Sequence, residues 1–269
     1  MRQNVIGLCR FSYPAEGGFQ VEHETLDDRI SFLYAPERME ERFATFECLT
    51  LPALRAQTDP DFTFIVLVGD SLPLPYRTRL GALIETVPQA VLISRPPGPH
   101  RKVMQEVINS VKDPAAEMSL QFRLDDDDAV GVDFVRALRA KAAENAGLLQ
   151  DNRHFAVDFT QGYVARCDGA GIYASPTQEN LWTAGLAVVF RPQVGITVMN
   201  FGHNRLGRFM PIVRVDSPAM FVRGHNAYND SRHGKSLDPV PLRPLDAAGT
   251  AVFKDTFAID ADHVRRVFG

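Results

Sequence analysis

An α/β fold is predicted, with a mixed, mostly parallel sheet flanked by helices and a β-rich second half. Three observations predict it. Strand-length apolar runs alternate with helical patterns through residues 1–146, the order that builds a parallel sheet. Phe62–Val68 is apolar or β-branched at every position, which suits a central strand covered on both faces. Beyond residue 146 the alternation gives way to short strand signals separated by turns.

Each element has its own warrant. Val5–Cys9 is a short apolar run that reads as a buried strand, and Asp27–Tyr34 is ambiguous. Met39, Phe43, Phe46 and Leu49 recur at helical spacing, and Pro52 falls where that helix should break or restart. Gln57–Asp61 is a turn cluster; Gly69-Asp70 closes the Phe62 strand. Tyr76–Glu85 reads as a helix, Ala90–Ser94 as a second buried strand, and Arg95-Pro96-Pro97-Gly98-Pro99-His100 as a loop. His100–Lys112 places Val103, Val107, Ile108 and Val111 on one helical face. Ser119–Leu124 is a strand, and Val132–Ala146 is a helix with Phe134, Val135, Leu138 and Ala142 inward. Phe155–Arg166, Gly171–Ser175 and Leu186–Arg191 read as strands that extend or flank the same sheet. Helical signals there are confined to Gln193–His203 and Asp260–Phe268, and the prolines of Leu237–Pro244 favour an extended tail. One domain is expected, divided into residues 1–146, 147–236 and a tail of 237–269.

Composition narrows the function. A chain of 269 residues, 45% hydrophobic and 23% charged, is long enough to bury a core without disulfides. Its net charge of -4 argues against a protein that grips nucleic acid by electrostatics. Cys9, Cys48 and Cys167 form no CxxC pair, which sets aside zinc ribbons and thioredoxin-like sites and suits reduced thiols. No run approaches the ~20 apolar residues that span a bilayer. A cytoplasmic protein is expected, with room for peripheral contact with a membrane. No GxGxxG and no GxxxxGK[ST] occurs, which removes typical NAD enzymes and P-loop ATPases.

The informative string is Phe122-Arg123-Leu124-Asp125-Asp126-Asp127-Asp128, where an apolar strand ends in four carboxylates. Open α/β sheets bind ligands at the carboxyl ends of their strands. Clustered carboxylates repel one another and raise each other's pKa; a divalent cation relieves that strain, and hard oxygen ligands suit Mn2+ or Mg2+ beside a phosphorylated substrate. A solvated acidic turn capping the next helix is the plainer alternative.

Three stretches in order resemble the GT-A glycosyltransferases, and among them the bacterial rhamnosyltransferase family. They are Leu54-Arg55-Ala56-Gln57-Thr58 running through Asp61-Phe62 into Ile65-Val66-Leu67, then Phe122–Ala129, then Phe221-Val222-Arg223-Gly224-His225-Asn226. The resemblance implies a GT-A-like (Rossmann-like) fold. It also implies an inverting transfer of a sugar, rhamnose first, from a dTDP-, UDP- or GDP-sugar to a glycan or lipid-linked acceptor. It places the metal on Asp127 with Asp125, Asp128 and His225, the register within the four aspartates staying open. His203 and His233 compete with His225, and Phe221 stands where the family tends to carry tryptophan. Donor contacts fall to Arg10, Asp70, Arg101, Lys102 and Asp125. A carboxylate base would deprotonate the acceptor, with Asp216 first, then Glu179 and Asp158.

Two other functional classes use similar residues. A metal-dependent nucleotidyltransferase or phosphohydrolase also clusters aspartates, although Gly17-Gly18 is too short for the glycine-rich loop of the former. A non-catalytic nucleotide-sugar or metal-binding module is the third reading. The polar segment from Gly224 to Gly234 could serve as a lid over bound donor.

Overall fold

The computed structural model describes residues 2–17, 23–226 and 241–269. The chain enters through β1 (Gln3–Arg10) and reaches α1 (Leu26–Leu33), where the Thr25 side chain accepts from the Asp28 N–H and resolves the ambiguous Asp27–Tyr34 stretch as a helix. Helix α2 (Pro36–Thr45) passes through a π-helical turn, Phe46–Thr50, into α3 (Leu51–Arg55). Pro52 has no N–H to offer the carbonyl four residues back, and the wider turn sits immediately before it. Then follow β2 (Thr63–Gly69), α4 (Leu74–Ile84), β3 (Ala90–Arg95), α5 (His100–Ser110), β4 (Met118–Arg123), β5 (Ala129–Val130), α6 (Phe134–Glu144) and α7 (Leu148–Asp151). The second half supplies β6 (His154–Phe159), β7 (Gln161–Asp168), β8 (Gly171–Gln178), β9 (Leu186–Phe190), β10 (Ile212–Val215), β11 (Phe221–Gly224) and β12 (Arg243–Pro244), then α8 (Ala247–Phe257) and α9 (Ala261–Phe268).

Seven strands form the main sheet in the order β10-β6-β9-β4-β1-β2-β3. Neighbours are parallel except that β9 runs antiparallel to both β4 and β6. This is the mixed, mostly parallel sheet expected. Alternation sends Val5, Phe64, Val66, Leu120 and Phe122 to one layer of core, with Phe43, Leu54, Leu80, Phe134 and Leu138 from the helices. Ile6, Leu8, Ile65 and Leu67 face the other layer, with Met104, Val107 and Ile108 of α5. Because β6, β9 and β10 join β4, the two expected halves share one sheet.

Three expectations need correction. Phe155–Arg166 is not one strand. The chain leaves the main sheet at Thr160, and β7 belongs to a second sheet, β12-β8-β7-β11-β5. The helical signal at Gln193–His203 yields only short 3-10 turns, Val198–Asn200 and His203–Arg208. Residues 237–269 are not a surface tail throughout. Phe253, Phe257, Ile259 and Val264 are buried in a third core cluster with Cys48, Leu49, Ala165, Ile172 and Val222. Residues 237–240 lie outside the described residues, and none of the described helices is long and apolar enough to cross a membrane.

Candidate active site

The four aspartates form a turn at the carboxyl end of β4, closed by the Asp128 N–H donating to the Asp125 carbonyl. They divide sharply by environment. The Asp125 side chain keeps 48% of its surface exposed, whereas Asp126, Asp127 and Asp128 are buried. Arg42 of α2 reaches into the turn, with Nη1 2.6 Å from Asp126 Oδ1 and 3.4 Å from Asp127 Oδ2. Asn226 Nδ2 donates to Asp127 Oδ2 at 2.6 Å. The Gly224 N–H donates to Asp128 Oδ1 at 2.9 Å, and Thr50 Oγ1 donates to the Asp128 carbonyl at 2.8 Å. Gly224 is required here, because a Cβ at that position would overlap the Asp127 carbonyl.

Burial pushes the Asp127 carboxyl up to about 6, with repulsion from Asp126 and Asp125 working against the pull of Arg42. Burial and repulsion from Asp127 and Asp125 raise Asp128 well above the carboxylate range, and burial raises Asp126 against the pull of Arg42 and Arg38. Asp125 goes the other way. Burial opposes its ionisation, but Arg10, Arg123, Arg223 and Arg42 together hold it below the ordinary value.

Those arginines gather at strand ends. Arg10 ends β1 and lies 3.9 Å from Asp125 Oδ1; its Nη1 is 3.0 Å from His100 Nε2. A guanidinium has no acceptor, so His100 accepts through Nε2. Burial, then Arg10, Arg123 and Arg101, push that imidazole down to about 3, which keeps it neutral. Arg123 ends β4 and donates to Thr183 Oγ1 at 2.9 Å. Arg223 of β11 lies with its guanidinium carbon 4.9 Å from the Trp182 ring centroid. Both of these arginines act on Asp125 and on His203. Arg10, Arg123 and Arg223 therefore gather at the ends of β1, β4 and β11, with Arg10 3.9 Å from the half-exposed Asp125 carboxylate and the other two acting on it electrostatically.

Against two of them lies a short hub, Leu181–Thr183, bonded by Arg123 at Thr183 and covered by Arg223 at Trp182. Leu181 takes a left-handed φ of 59°. Its N–H donates to both oxygens of Asp158, at 3.1 and 2.9 Å, and its carbonyl lies 2.7 Å from His203 Nδ1. Asp158 is fully buried, and its carboxyl is pushed up by burial to about 6. Asp216, exposed at the end of β10, accepts from Thr160 Oγ1 at 2.7 Å, and the exposed Glu179 donates its N–H to the Thr160 carbonyl. Asp216 thus meets Thr160 through its carboxylate, whereas Glu179 meets it through its backbone alone. Asp158, with no exposed surface and both oxygens taken by Leu181, is placed to hold the hub rather than to meet a substrate.

The remaining expected residues are spread more widely. Asp70 is exposed past the end of β2, its N–H donating to the Arg95 carbonyl. Arg101 and Lys102 are exposed on the first turn of α5, where Arg101 is close enough to weaken proton binding by His100. His225 donates its backbone N–H to Ala165 and lines a cavity of about 460 Å3 with Glu40, Glu41, Thr45 and Cys167. His233 and the segment 227–234 of the expected lid lie outside the described residues.

The aspartates have the oxygen-donor chemistry that suits Mn2+ or Mg2+. Among the described residues no three His, Cys, Asp or Glu side chains are grouped to hold an ion. Arg42 takes the place of counter-charge to Asp126 and Asp127. Sequence reasoning gave no site role to Arg42, Arg123, Arg223, Thr183 or Trp182. Arg42 does carry a signal, since it shares the inward face of α2 with Arg38 and Met39.

A family model described as "Putative rhamnosyl transferase" matches residues 4–236. No curated protein sequence matches the chain. Among solved structures, S. aureus TarS 1–349 in complex with UDP-GlcNAc is similar with a TM-score of 0.41 and 9% identity, over 86% of this chain and 61% of that one. TarS 1–349 without that ligand gives 0.39 and 9%, over 83% and 60%. The 4-diphosphocytidyl-2C-methyl-D-erythritol synthase of Anaerococcus prevotii gives 0.36 and 11%, over 80% and 88%. This chain spans about 60% of the length of those TarS chains, and likenesses at these scores assign no chemistry to the site.

Proposed function

Since the chain belongs to the rhamnosyl transferase family over residues 4–236, we propose that it is a glycosyltransferase acting on a nucleotide-diphosphate sugar. Rhamnose on dTDP is the first donor to test, with transfer to an acceptor hydroxyl and inversion at the anomeric carbon. The observation that carries this reading is the gathering of Arg10, Arg123 and Arg223 at the ends of β1, β4 and β11, all three acting on the half-exposed Asp125. A diphosphate brings negative charge and planar-compatible oxygens, which guanidiniums match better than ammonium groups do. As the sugar–phosphate bond breaks, charge builds on the departing diphosphate oxygen. Fixed guanidiniums stabilise that charge without reorganising. Asp125 sits among them as the carboxylate most able to accept from a ribose or sugar hydroxyl, being ionised and half exposed.

Calorimetric titration with dTDP-rhamnose, UDP-glucose and GDP-mannose tests this. One donor binds the wild type, and Arg123→Ala weakens it at least ~10-fold by removing a charge-assisted contact. Absence of binding by every donor overturns the reading in favour of a phosphohydrolase or a metal-binding module. Run with Mn2+ and with EDTA, the same titration decides the metal. Binding that survives EDTA assigns the diphosphate charge to the arginines alone, and binding that needs Mn2+ returns a divalent cation to Asp125 and Asp127.

A further inference from the structure

We propose that His203 is the general base that takes the proton from the acceptor hydroxyl, oriented by Leu181 and, behind it, by Asp158. The inference rests on the glycosyl-transfer reading and adds to it the group that activates the nucleophile.

The geometry fixes the tautomer. The Leu181 carbonyl can only accept, so the 2.7 Å contact requires the proton on His203 Nδ1. Nε2 then carries the lone pair, and no described residue donates to it. The orienting carbonyl is itself pinned. Leu181 holds a left-handed φ of 59°, a conformation costly for a leucine, and both oxygens of the buried Asp158 hold its N–H in place. Strain of this kind persists where the surroundings over-determine it, which is the case here. A base, an orienting carbonyl and a buried carboxylate are thus linked through Leu181.

The surroundings keep the base ready. His203 is half-buried at the start of the 3-10 turn that precedes β10. Burial, Arg123 of β4 and Arg223 of β11 weaken its hold on a proton, while the Leu181 carbonyl and Asp125 strengthen it. The balance leaves the imidazole neutral at pH 7. A bound diphosphate neutralises Arg123 and Arg223, so its arrival raises the proton affinity of His203 when a base is needed. In the step itself the acceptor O–H bond breaks and its proton passes to Nε2. The acceptor oxygen bonds to the anomeric carbon, and the electron pair of the departing C–O bond goes to the diphosphate. The imidazolium afterwards releases its proton to water. Asp158 is shut away from any acceptor, and Asp216 is exposed but held by Thr160.

The test needs no identified acceptor, because water can take that place. Nucleotide-diphosphate release from whichever donor of the panel binds is measured for wild type, His203→Gln, His203→Ala and Asp216→Asn. His203→Gln slows release about 100-fold, the usual worth of a general base, with the donor dissociation constant within about twofold of wild type. Free imidazole restores part of the rate to His203→Ala. A 15N spectrum of the imidazoles, assigned by loss of the His203 signals in His203→Gln, shows a neutral ring protonated at Nδ1 at pH 7. Adding the nucleoside diphosphate of the donor that binds raises its pKa. Wild-type rates in His203→Gln overturn the proposal. So does a rate lost together with donor affinity and unrescued by imidazole, which marks a structural role, and so does a rate lost only in Asp216→Asn. Failure of the wild type to bind any donor sinks the underlying transferase reading instead, and this inference falls with it.

Discussion

Arg42 sets the terms at the scale of single residues, because it is a buried cation paired with two buried carboxylates, Asp126 and Asp127. Removing one member of a buried ion pair leaves the others uncompensated, at a cost of about 3–5 kcal/mol. Arg42→Met should therefore lower the free energy of unfolding by that amount, read as a lower urea midpoint with an unchanged m-value. Asp127 makes the opposite prediction. Its folded pKa of about 6 lies above the 3.8 of an exposed carboxyl, so it binds a proton more tightly folded than unfolded. Stability from that group is fully present below about pH 4 and is lost as pH rises through 6. Asp127→Asn is expected to melt higher than wild type at pH 7.5, with the gap closing toward pH 4. His100 runs in the contrary sense, its pKa being depressed on folding, so the readout is the difference between variant and wild type across a pH series of thermal melts. A carboxylate that costs stability at neutral pH fits a residue kept for function.

Among the elements, legibility followed periodicity. β2 could be read at once because every residue from Phe62 to Val68 is apolar or β-branched, and the structure buries Phe64, Val66 and Val68 against one layer and Ile65 and Leu67 against the other. The same signal misled at Phe155–Arg166. Both β6 and β7 are apolar there, and only the change of sheet at Thr160 separates them, which no pattern of residue types announces. Helix α8 was missed because AAGTAVFKDTF buries only Phe253 and Phe257, too narrow a stripe for a periodic reading. Of the site, the acidic turn and Arg10 were legible and the other cationic partners were not, since Arg42, Arg123 and Arg223 reach it from three further elements. β11 illustrates what such meetings demand. Gly224 brings its backbone so close to the acidic turn that Gly224→Ala must displace Asp127 or break the bond to Asp128. That variant should fold less stably and bind donor at least ~10-fold more weakly, since the guanidiniums and Asp125 are positioned through the same turn. Paired denaturation and donor titration check both effects.

Taken as a whole, the molecule has two sheets between which the chain passes several times, and the second is completed from the C-terminus. The family match ends at residue 236, yet the helices beyond it are part of the core. Tyr163 of β7 packs against Phe253 and Phe257, with ring centroids 5.2 and 5.9 Å away. The Thr256 carbonyl accepts from the Val132 N–H just past β5. Burying Phe253, Phe257, Ile259 and Val264 contributes about 1.5–3 kcal/mol each before entropy is counted, a total comparable to the net stability of a whole domain. A chain ending after Pro244 exposes that face of the second sheet and loosens β11, which carries Arg223 and Gly224 into the site. The truncated protein should bind ANS, lose its cooperative thermal transition and fail to bind donor. A truncation that melts cooperatively near the wild-type temperature shows instead that the second sheet closes without α8 and α9, and the main sheet alone then holds the arginines in place.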